Sequence, residues 1–314
     1  MRFIQDLNDG SNVRDIYLCK KRVPMVTKNG KAYESVTLQD KTGTIDAKIW
    51  DPDSMGIGEF DELDYVEVTG NVVSFQGHLQ LNIRQARKCS PGEYDPGDYV
   101  PVSDKNIDDM MRAIGRYIDT VENEYLNRLL RAFFEEDEAF VKDFRVSSAA
   151  KSVHHGFVGG LCEHTLGVTN LCHSYCRIYP YINRDLLITV ALLHDVGKTR
   201  ELSQFPRNDY TESGQFLGHI IIGLQMVDAK IAQIPGFPPI LADEVRHCIL
   251  AHHGEMEYGS PKKPAIVEAM ALHFADNTDA KLEIFRETLA TGQPDAGWIG
   301  YQGFLGSNIR KTEV

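Results

Sequence analysis

The chain has 314 residues, and its 42% hydrophobic and 25% charged content is ordinary for a globular protein and excludes a disordered or fibrous class. Its formal net charge of −12 argues against a protein that simply coats nucleic acid. The first residues lack the pattern of a signal peptide, and the longest apolar run, LLITVALL, is too short to span a membrane, so we expect a soluble cytoplasmic protein.

From about residue 12 to residue 88 the sequence is rich in β-branched and aromatic residues with period-two alternation, which is typical of short strands. Turn signals such as KNGK, DKTG and FQGH separate these segments. Five or so strands in so short a stretch predict a small closed barrel. Residues 14–48 hold eight basic and four acidic side chains, whereas 51–67 hold seven acidic and no basic ones, so one face of the barrel could be locally positive.

The period changes after the segment CSPGEYDPGDYVPVSDKN, which is dense in Pro, Gly and Asp and is typical of a linker. Apolar residues then step by three and four from Ile107 to Phe133, which predicts a long amphipathic helix beginning near Ile107. Further helical patterning occupies 161–177, 184–196, 216–233, 239–253 and 264–290. We therefore place a barrel domain at 1–92, a linker at 93–106 and an all-α domain at 107–314.

The six cysteines, at positions 19, 89, 162, 172, 176 and 248, form no CxxC pair and have no even spacing. This arrangement is typical neither of a disulfide framework nor of a thiolate zinc site. We expect reduced thiols.

Ten of the eleven histidines follow position 153, and several stand where a helix should bury a hydrophobic side chain. A single such histidine is ordinarily a core residue bonded to a backbone carbonyl. Several together would leave many buried polar groups, each costing about 1–3 kcal/mol if unpaired. One bound cation would accept all of them. The stripes that contain these groups are Leu161-His164-Val168-Leu171-Tyr175, Leu187-Val190-His194, Phe216-His219-Gly223-Met226, Leu241-Val245-Cys248-His252 and Leu272-Asp276.

Imidazole and carboxylate donors without thiolate suit a first-row divalent ion such as Mn, Fe, Co, Ni or Zn. In the stretch ALLHDVGK, His194 and Asp195 are consecutive at a helix end and diverge by about 100°. A carboxylate has two oxygens, so Asp195 could belong to two metal ions at once. Lys198 adds a donor that could hold a phosphate oxygen.

The order of these residues on separate helices resembles the H…HD…D signature of the HD-domain metal-dependent phosphohydrolases, and HDVGK is its common elaboration. The signature positions are His164, His194, Asp195 and Asp276. His219 in GHIIIG and His252-His253 in AHHGE look like the HD domains that hold two metal ions.

The resemblance extends to the whole chain, because a barrel followed by VHHGFVGGLCEHT and such a domain is similar to the YhaM-type 3′-to-5′ exoribonucleases. The segment YESVTLQDKTGTIDAKIW also resembles a nucleic-acid-binding OB strand pair. The resemblance implies a multidomain fold, a small all-β OB-fold barrel followed by an all-α HD domain. It also implies metal-dependent hydrolysis of single-stranded RNA from the 3′ end with release of nucleoside 5′-monophosphates, with single-stranded DNA as an alternative substrate.

We expect the first ion to be held by His164, His194, Asp195 and Asp276. The second would be held by Asp195, His219 and His252 or His253, and His252 is the first choice because it lies on an apolar stripe. Two ions so held would hydrolyse a phosphodiester, with Asp195 and Lys198 as catalytic residues and Lys198 offsetting the charge of the phosphate. Mn²⁺ is the first candidate, and Co²⁺, Fe²⁺, Ni²⁺ and Zn²⁺ are alternatives.

Substrate contacts are expected in both domains. His154 and His155 precede the helix that carries His164, and they could equally reach a phosphate or the leaving group or be solvated loop residues. Arg200 is a further candidate phosphate contact, although a surface arginine after a helix end is the commoner case. An OB-fold binds single strands with basic and aromatic side chains. The candidates are Lys21, Lys31, Tyr33, Lys48, Phe75 and Arg84, with Lys20, Arg22, Lys28 and Trp50 beside them; Trp50 could equally be a core residue.

Two other functions remain open at this point. One is an HD enzyme acting on a small phosphate ester, with the barrel serving for assembly. The other is a non-catalytic nucleic-acid-binding factor with a structural metal. Against the second, a structural ion needs about four protein ligands, whereas more residues converge here.

Overall fold

The computed structural model describes residues 2–151, 155–292 and 297–313. The chain forms two compact units, Met1–Val102 and Ser103–Val314. The division between them falls inside segment 93–106, where the sequence predicts a linker.

The first unit is a closed five-stranded barrel in residues 2–102, with strand order β1-β2-β3-β5-β4. Strands β3 and β5 are parallel, and the other neighbouring pairs are antiparallel. This barrel confirms the predicted OB-like fold. The strands are β1 (Asn12–Val26), β2 (Ala32–Asp40), β3 (Gly43–Ile49), β4 (Tyr65–Phe75) and β5 (His78–Lys88).

The alternation of β3 shows why the barrel forms. Ile45, Ala47 and Ile49 are buried in the barrel interior, and Asp46 and Lys48 between them stand on the outer side. Because side chains on a strand alternate between its two faces, one face of each strand contributes to the core and the other is available for contacts.

The second unit is helical around one apolar core, and it confirms the predicted HD-type helical domain. Within its described residues the helices are α1 (Ile107–Asp119), α2 (Glu124–Phe134), α3 (Glu138–Val146), α4 (Gly160–Ile178), α5 (Arg184–Leu193), α6 (Lys198–Glu201), α7 (Glu212–Ile231), α8 (Pro239–Ala251) and α9 (Val267–Thr291). No helix among the described residues is long and apolar enough to cross a membrane.

Two elements differ from the sequence expectation. The prediction of a single long helix from Ile107 is wrong, because α1 ends at Asp119 and a second helix, α2, begins at Glu124. The Asn123 side chain accepts hydrogen bonds from the backbone N–H groups of Tyr125 and Leu126, which caps a new helix. The apolar pattern continues because both helices face the same core. A two-stranded hairpin, β6 (Trp298–Gln302) and β7 (Ser307–Arg310), was not predicted in a domain expected to be all-α.

Candidate metal centre

Helices α4, α5 and α9 bring together a first cluster, defined here as His164, His194, Asp195 and Asp276. The Nε2 atom of His164 lies 3.3 Å from Nε2 of His194 and 3.4 Å from Oδ2 of Asp195. It also lies 3.2 Å from Oδ1 of Asp276, and His194 Nε2 lies 3.4 Å from Asp195 Oδ2. The four residues predicted to hold the first ion therefore meet at one point.

A second cluster, defined as His219, His252 and His253, faces the other oxygen of Asp195. Asp195 Oδ1 lies 3.5 Å from His219 Nε2 and 3.6 Å from His252 Nε2. Nitrogen atoms of all three histidines lie within 4.8 Å of one another. Asp195 thus stands between two groups of donors, with one carboxylate oxygen directed at each.

Four histidines turn their Nε2 atoms inward because their Nδ1 atoms are engaged on the far side. An Nδ1–H that donates to an oxygen leaves the lone pair of a neutral imidazole on Nε2. The pairs are His164 with Asp279 Oδ2 (2.8 Å), His194 with the Ala191 carbonyl (2.9 Å), His219 with Glu201 Oε1 (3.0 Å) and His252 with the Ile249 carbonyl (2.7 Å). Both clusters therefore consist of electron-pair donors.

These donors fit a divalent cation. Two ligand atoms that are each about 2.1 Å from one ion lie about 3.0–3.4 Å apart in octahedral or tetrahedral geometry, as the first cluster does. Among the described residues, the buried atoms Asp195 Oδ1, His219 Nε2 and His252 Nε2 have no hydrogen-bond partner. Buried polar atoms normally have one, so a positive charge between them accounts for an arrangement that is otherwise costly.

The pKa of His164 also indicates that a positive charge belongs among these groups. Its burial lowers the pKa of the imidazole, but Asp195, Asp276 and Asp279 outweigh burial and raise the pKa well above its usual range. The carboxylates thus require a positive charge among them, either a proton or a metal ion that replaces it. The first cluster and its neighbours are consistent with the divalent-metal dependence of HD domains.

Lys198 completes the HDVGK segment. Burial would raise the pKa of Asp195, but Lys198, with Nζ 2.6 Å from Asp195 Oδ2, and His194 hold that pKa well below its usual range. Burial would likewise lower the pKa of Lys198, yet Asp195 raises it. Lysine and aspartate are therefore both charged at neutral pH. A Cβ atom at Gly197 would lie 2.0 Å from the His219 carbonyl, so glycine allows this turn to approach α7 closely.

A cleft of about 280 Å³ opens beside the clusters. Burial lowers the pKa of His253, which lines it, to about 3, so this imidazole is neutral. The cleft is lined by His164, Lys198, His253, His273, Asp276, Asn277 and Ala280. Lys198 and the metal-facing residues are thus accessible to a substrate phosphate from one side.

The other expected substrate contacts in this unit fare differently. His155 is 3% exposed and its Nε2 lies 3.0 Å from Asp279 Oδ2, so it is not a solvated loop histidine, and its contact with substrate stays a prediction. His154 lies outside the described residues. Arg200 is exposed and lines a separate cleft of about 340 Å³ with Asp137 and Lys230, so the structure does not bring it to the metal centre.

Sequence reasoning missed Asp279 and Glu201. Asp279 follows Asp276 by one turn of α9, and Glu201 follows Lys198 by one turn of α6. This helical spacing is the only sequence signal that could have singled them out. The stripe assigned to α7 also needs correction, because Phe216 is 85% exposed and the helix is kinked at Gly218.

On the outer side of the barrel, the predicted contact residues Tyr33, Lys48 and Trp50 lie against one another. Arg84 on β5 is also exposed and donates from Nη2 to Asn71. Tyr33 and Trp50 stack with ring centroids 5.1 Å apart, and Lys48 Nζ lies 5.8 Å from the Tyr33 ring. Trp50 is 45% exposed and donates from Nε1 to Asn82, so it is not a core residue. Arg84 stands one position further along β5 than Ile83, the partner of Ile49. We call Tyr33, Lys48, Trp50 and Arg84 the barrel face.

The remaining barrel candidates lie elsewhere. Lys21 and Lys31 are exposed on β1 and just before β2, and Phe75 is 57% exposed at the end of β4. Arg22 is engaged by Glu34, with a closest N–O distance of 2.8 Å, and by the Phe60 carbonyl. An arginine held in this way is a structural element of the barrel.

Comparison with known proteins agrees with this architecture. The HD domain family matches residues 161–281. The 3′-5′ exoribonuclease YhaM of Listeria innocua is 36% identical over 295 residues, which is 92% of this chain and 91% of the relative. The 3′-5′ exoribonuclease YhaM of Bacillus subtilis is 34% identical over 289 residues, 91% of this chain and 90% of the relative.

Among solved structures, the second OB-fold domain of replication protein A from Methanococcus maripaludis is 20% identical and covers 29% of this chain and 96% of its own, with a TM-score of 0.24. The full-length similarity to the exoribonucleases is far more extensive. By that similarity, the chain belongs to the YhaM family of 3′-5′ exoribonucleases.

Proposed function

We propose that this protein is a metal-dependent 3′-to-5′ exoribonuclease that hydrolyses phosphodiester bonds of single-stranded RNA and releases nucleoside 5′-monophosphates. Single-stranded DNA is an alternative substrate. The proposal includes two divalent ions per chain, with Mn²⁺ the first candidate ahead of Co²⁺, Fe²⁺, Ni²⁺ and Zn²⁺. The cytoplasm stays the predicted location.

The observation that carries the proposal is the position of Asp195 between the two clusters. One of its oxygens lies 3.4 Å from the Nε2 atoms of His164 and His194, and the other lies 3.5–3.6 Å from those of His219 and His252. His164, His194, Asp195 and Asp276 would hold one ion, and Asp195, His219, His252 and His253 the other. Bound there, two divalent ions would hold a phosphoryl group and stabilise the departing oxygen. They would also lower the pKa of a bound water, so that hydroxide is available near neutral pH.

Lys198 supplies what the ligands cannot, a fixed positive charge at the cleft. Its ammonium group has three hydrogens, and the bond to Asp195 uses one of them. The other two can donate to nonbridging phosphate oxygens. Charge-assisted bonds of this kind orient the phosphate and offset its negative charge.

The barrel face supports binding of a flexible single strand. Bases stack on exposed aromatic rings, and each stack contributes about 1–3 kcal/mol without sequence preference. Trp50 and Tyr33 offer such rings, and Lys48 and Arg84 offer charge for the phosphates. Double-stranded or tightly folded RNA would not present its bases in this way, so we expect single strands to be favoured.

The test is incubation of the protein and Mn²⁺ with single-stranded RNA carrying a label at its 5′ end. We expect a ladder of products that shortens from the 3′ end and nucleoside 5′-monophosphates in the chromatogram. RNA with the same sequence in a perfect duplex serves as the control and should persist. Unchanged RNA alongside turnover of mononucleotide esters would instead assign the site to small phosphate esters.

The same assay separates catalysis from binding alone. Asp195→Ala should retain RNA binding and lose the ladder. If the native protein binds RNA but never shortens it with any of the five metals, a non-catalytic binding factor is the better description.

A further inference from the structure

We propose that Asp279 and Glu201 are positioning residues, one for each ion. Asp279 would orient His164 toward the first ion, and Glu201 would orient His219 toward the second. This inference rests on the two-ion centre of the proposed function. Each carboxylate bonds the Nδ1 atom of a histidine whose Nε2 atom faces the cluster, so each would act through the histidine that it holds.

Asp279 is built into α9 and α4 as an acceptor for imidazole. Its Oδ2 atom accepts from His164 Nδ1 at 2.8 Å and lies 3.0 Å from His155 Nε2. A Cβ atom at position 167 would lie 2.1 Å from Asp279 Oδ1, so Gly167 on α4 provides the space that this carboxylate occupies. Because Asp276 lies one turn away on the same helix, α9 supplies both a ligand and the group that orients another ligand.

Glu201 holds its histidine at two points. Its Oε1 atom accepts from the backbone N–H of His219 at 2.9 Å and from the ring Nδ1 at 3.0 Å. Glu201 lies six residues after Asp195 and three after Lys198, so one short segment carries the shared ligand, the phosphate donor and this acceptor. The two bonds fix both the start of the straight part of α7 and the ring that points from it to Asp195.

The arrangement is the same on both sides of Asp195. In each cluster, one histidine is held by a carboxylate and one by a main-chain carbonyl: His164 and His194 in the first, His219 and His252 in the second. A carboxylate behind an imidazole fixes the tautomer and makes Nε2 a stronger donor than a carbonyl does. Each ion position would thus have one strengthened nitrogen ligand.

The experiment is a titration of metal-free protein with Mn²⁺, with free Mn²⁺ followed by electron paramagnetic resonance. Native protein should bind two ions. Asp279→Asn and Glu201→Gln keep the shape and an acceptor oxygen but lose the charge, and each should weaken one of the two sites by about 10–100-fold. Native Mn²⁺ affinities in both variants, or equal loss of both sites in each, would overturn the proposal.

A double-mutant cycle assigns each carboxylate to its site. Asp279→Asn should add no further loss of Mn²⁺ affinity to His164→Ala but its full effect to His219→Ala, and Glu201→Gln should do the reverse. Additive losses in all four combinations would contradict the division. Circular dichroism melting checks that each variant is folded.

Gly167→Ala tests Asp279 without altering any polar group. The added methyl group should displace the carboxylate and weaken the same site as Asp279→Asn. Gly115→Ala on α1 is the matched control, since a Cβ there meets no described atom within 4 Å. Native Mn²⁺ binding by Gly167→Ala in a folded protein would count against the proposal.

The titration contains no RNA, so the two proposals fail separately. Selective loss of one Mn²⁺ site in a protein that shortens no RNA would overturn the exoribonuclease function and leave the positioning roles intact. Shortening of RNA by native protein, with Asp279→Asn binding Mn²⁺ normally, would overturn only the positioning role.

Discussion

In the metal centre, His164, His194 and Asp195 are buried with donor atoms 3.3–3.4 Å apart, whereas the barrel face presents Lys48, Trp50 and Arg84 on the outer side of a sheet. In the proposed function, both regions would contact the same phosphate-rich substrate. In the first region, the imidazole rings are buried or partly buried, and four of them are held from behind by hydrogen bonds to other residues. In the second, the side chains keep access to solvent.

This difference determines what the loss of one side chain does. Removing one buried side chain leaves its former partners unpaired in the interior, and such changes cost several kcal/mol of stability. An exposed ring or cation contributes its own contact and little more. We therefore expect large, non-additive effects on catalysis in the metal centre and small, additive effects on RNA binding at the barrel face.

The largest effect is expected for Asp195→Ala, because this carboxylate faces both clusters. Loss of several kcal/mol of stabilisation corresponds to a decrease in kcat of at least about 10³-fold. Asp243→Ala is the matched control, since Asp243 is exposed on α8 and pairs only with nearby Arg246 among the described residues. Single-turnover RNA shortening measures both, and comparable activity of the two variants would remove the contrast.

Lys198 and Arg200 lie on the same turn of α6, and their substitutions compare a residue at the metal centre with one outside it. Lys198 is bonded to Asp195 at the cleft, whereas Arg200 lines another surface. A hydrogen bond to a charged group is worth about 1.5–3 kcal/mol, so Lys198→Ala should lower kcat about 10- to 150-fold and Arg200→Ala should leave it unchanged. The steady-state kinetics would argue against the assigned role of Lys198 if both changes had the same effect.

Trp50→Ala tests the barrel face. Loss of one stacked base should weaken single-stranded RNA binding by about 1–3 kcal/mol, with kcat at saturating RNA unchanged. Trp298 is the matched control, because it is 50% exposed in the C-terminal hairpin and the chain has only two tryptophans. Fluorescence anisotropy in the Asp195→Ala background measures binding without degradation. Equal loss for the two tryptophans would mean that the barrel face is not the specific platform.

The smallest effect is expected for Lys48→Ala. Removing one phosphate contact should reduce the slope of log K against log salt by about 0.7 for a single strand. Lys142→Ala on α3 serves as the control for loss of an exposed positive charge. An unchanged salt slope for Lys48→Ala would remove Lys48 from the proposed interface.

Much of the candidate metal centre could be singled out from the sequence because its candidate ligands interrupt apolar stripes. His164, His194 and His252 occupy positions that helical periodicity assigns to the core, so a polar residue there demands an explanation. The barrel was predictable for a similar reason, since β3 and most of β4 alternate between buried and outward positions.

The residues behind the ligands were not predictable in this way. Whether Asp279 is a surface carboxylate or an acceptor for His164 depends on α4, which is more than a hundred residues away in the sequence. The same carboxylate also holds His155, which the sequence could equally have placed in a solvated loop, as a buried partner. Such roles belong to tertiary packing, and local pattern carries no information about them.

The central claim is that Asp195 is shared by two ions. The most direct test is an anomalous difference map from crystals of the protein soaked in Mn²⁺. We expect two peaks, one between Asp195 Oδ2 and the first cluster and one between Asp195 Oδ1 and the second. A single peak, or peaks that do not contact Asp195, would contradict the account.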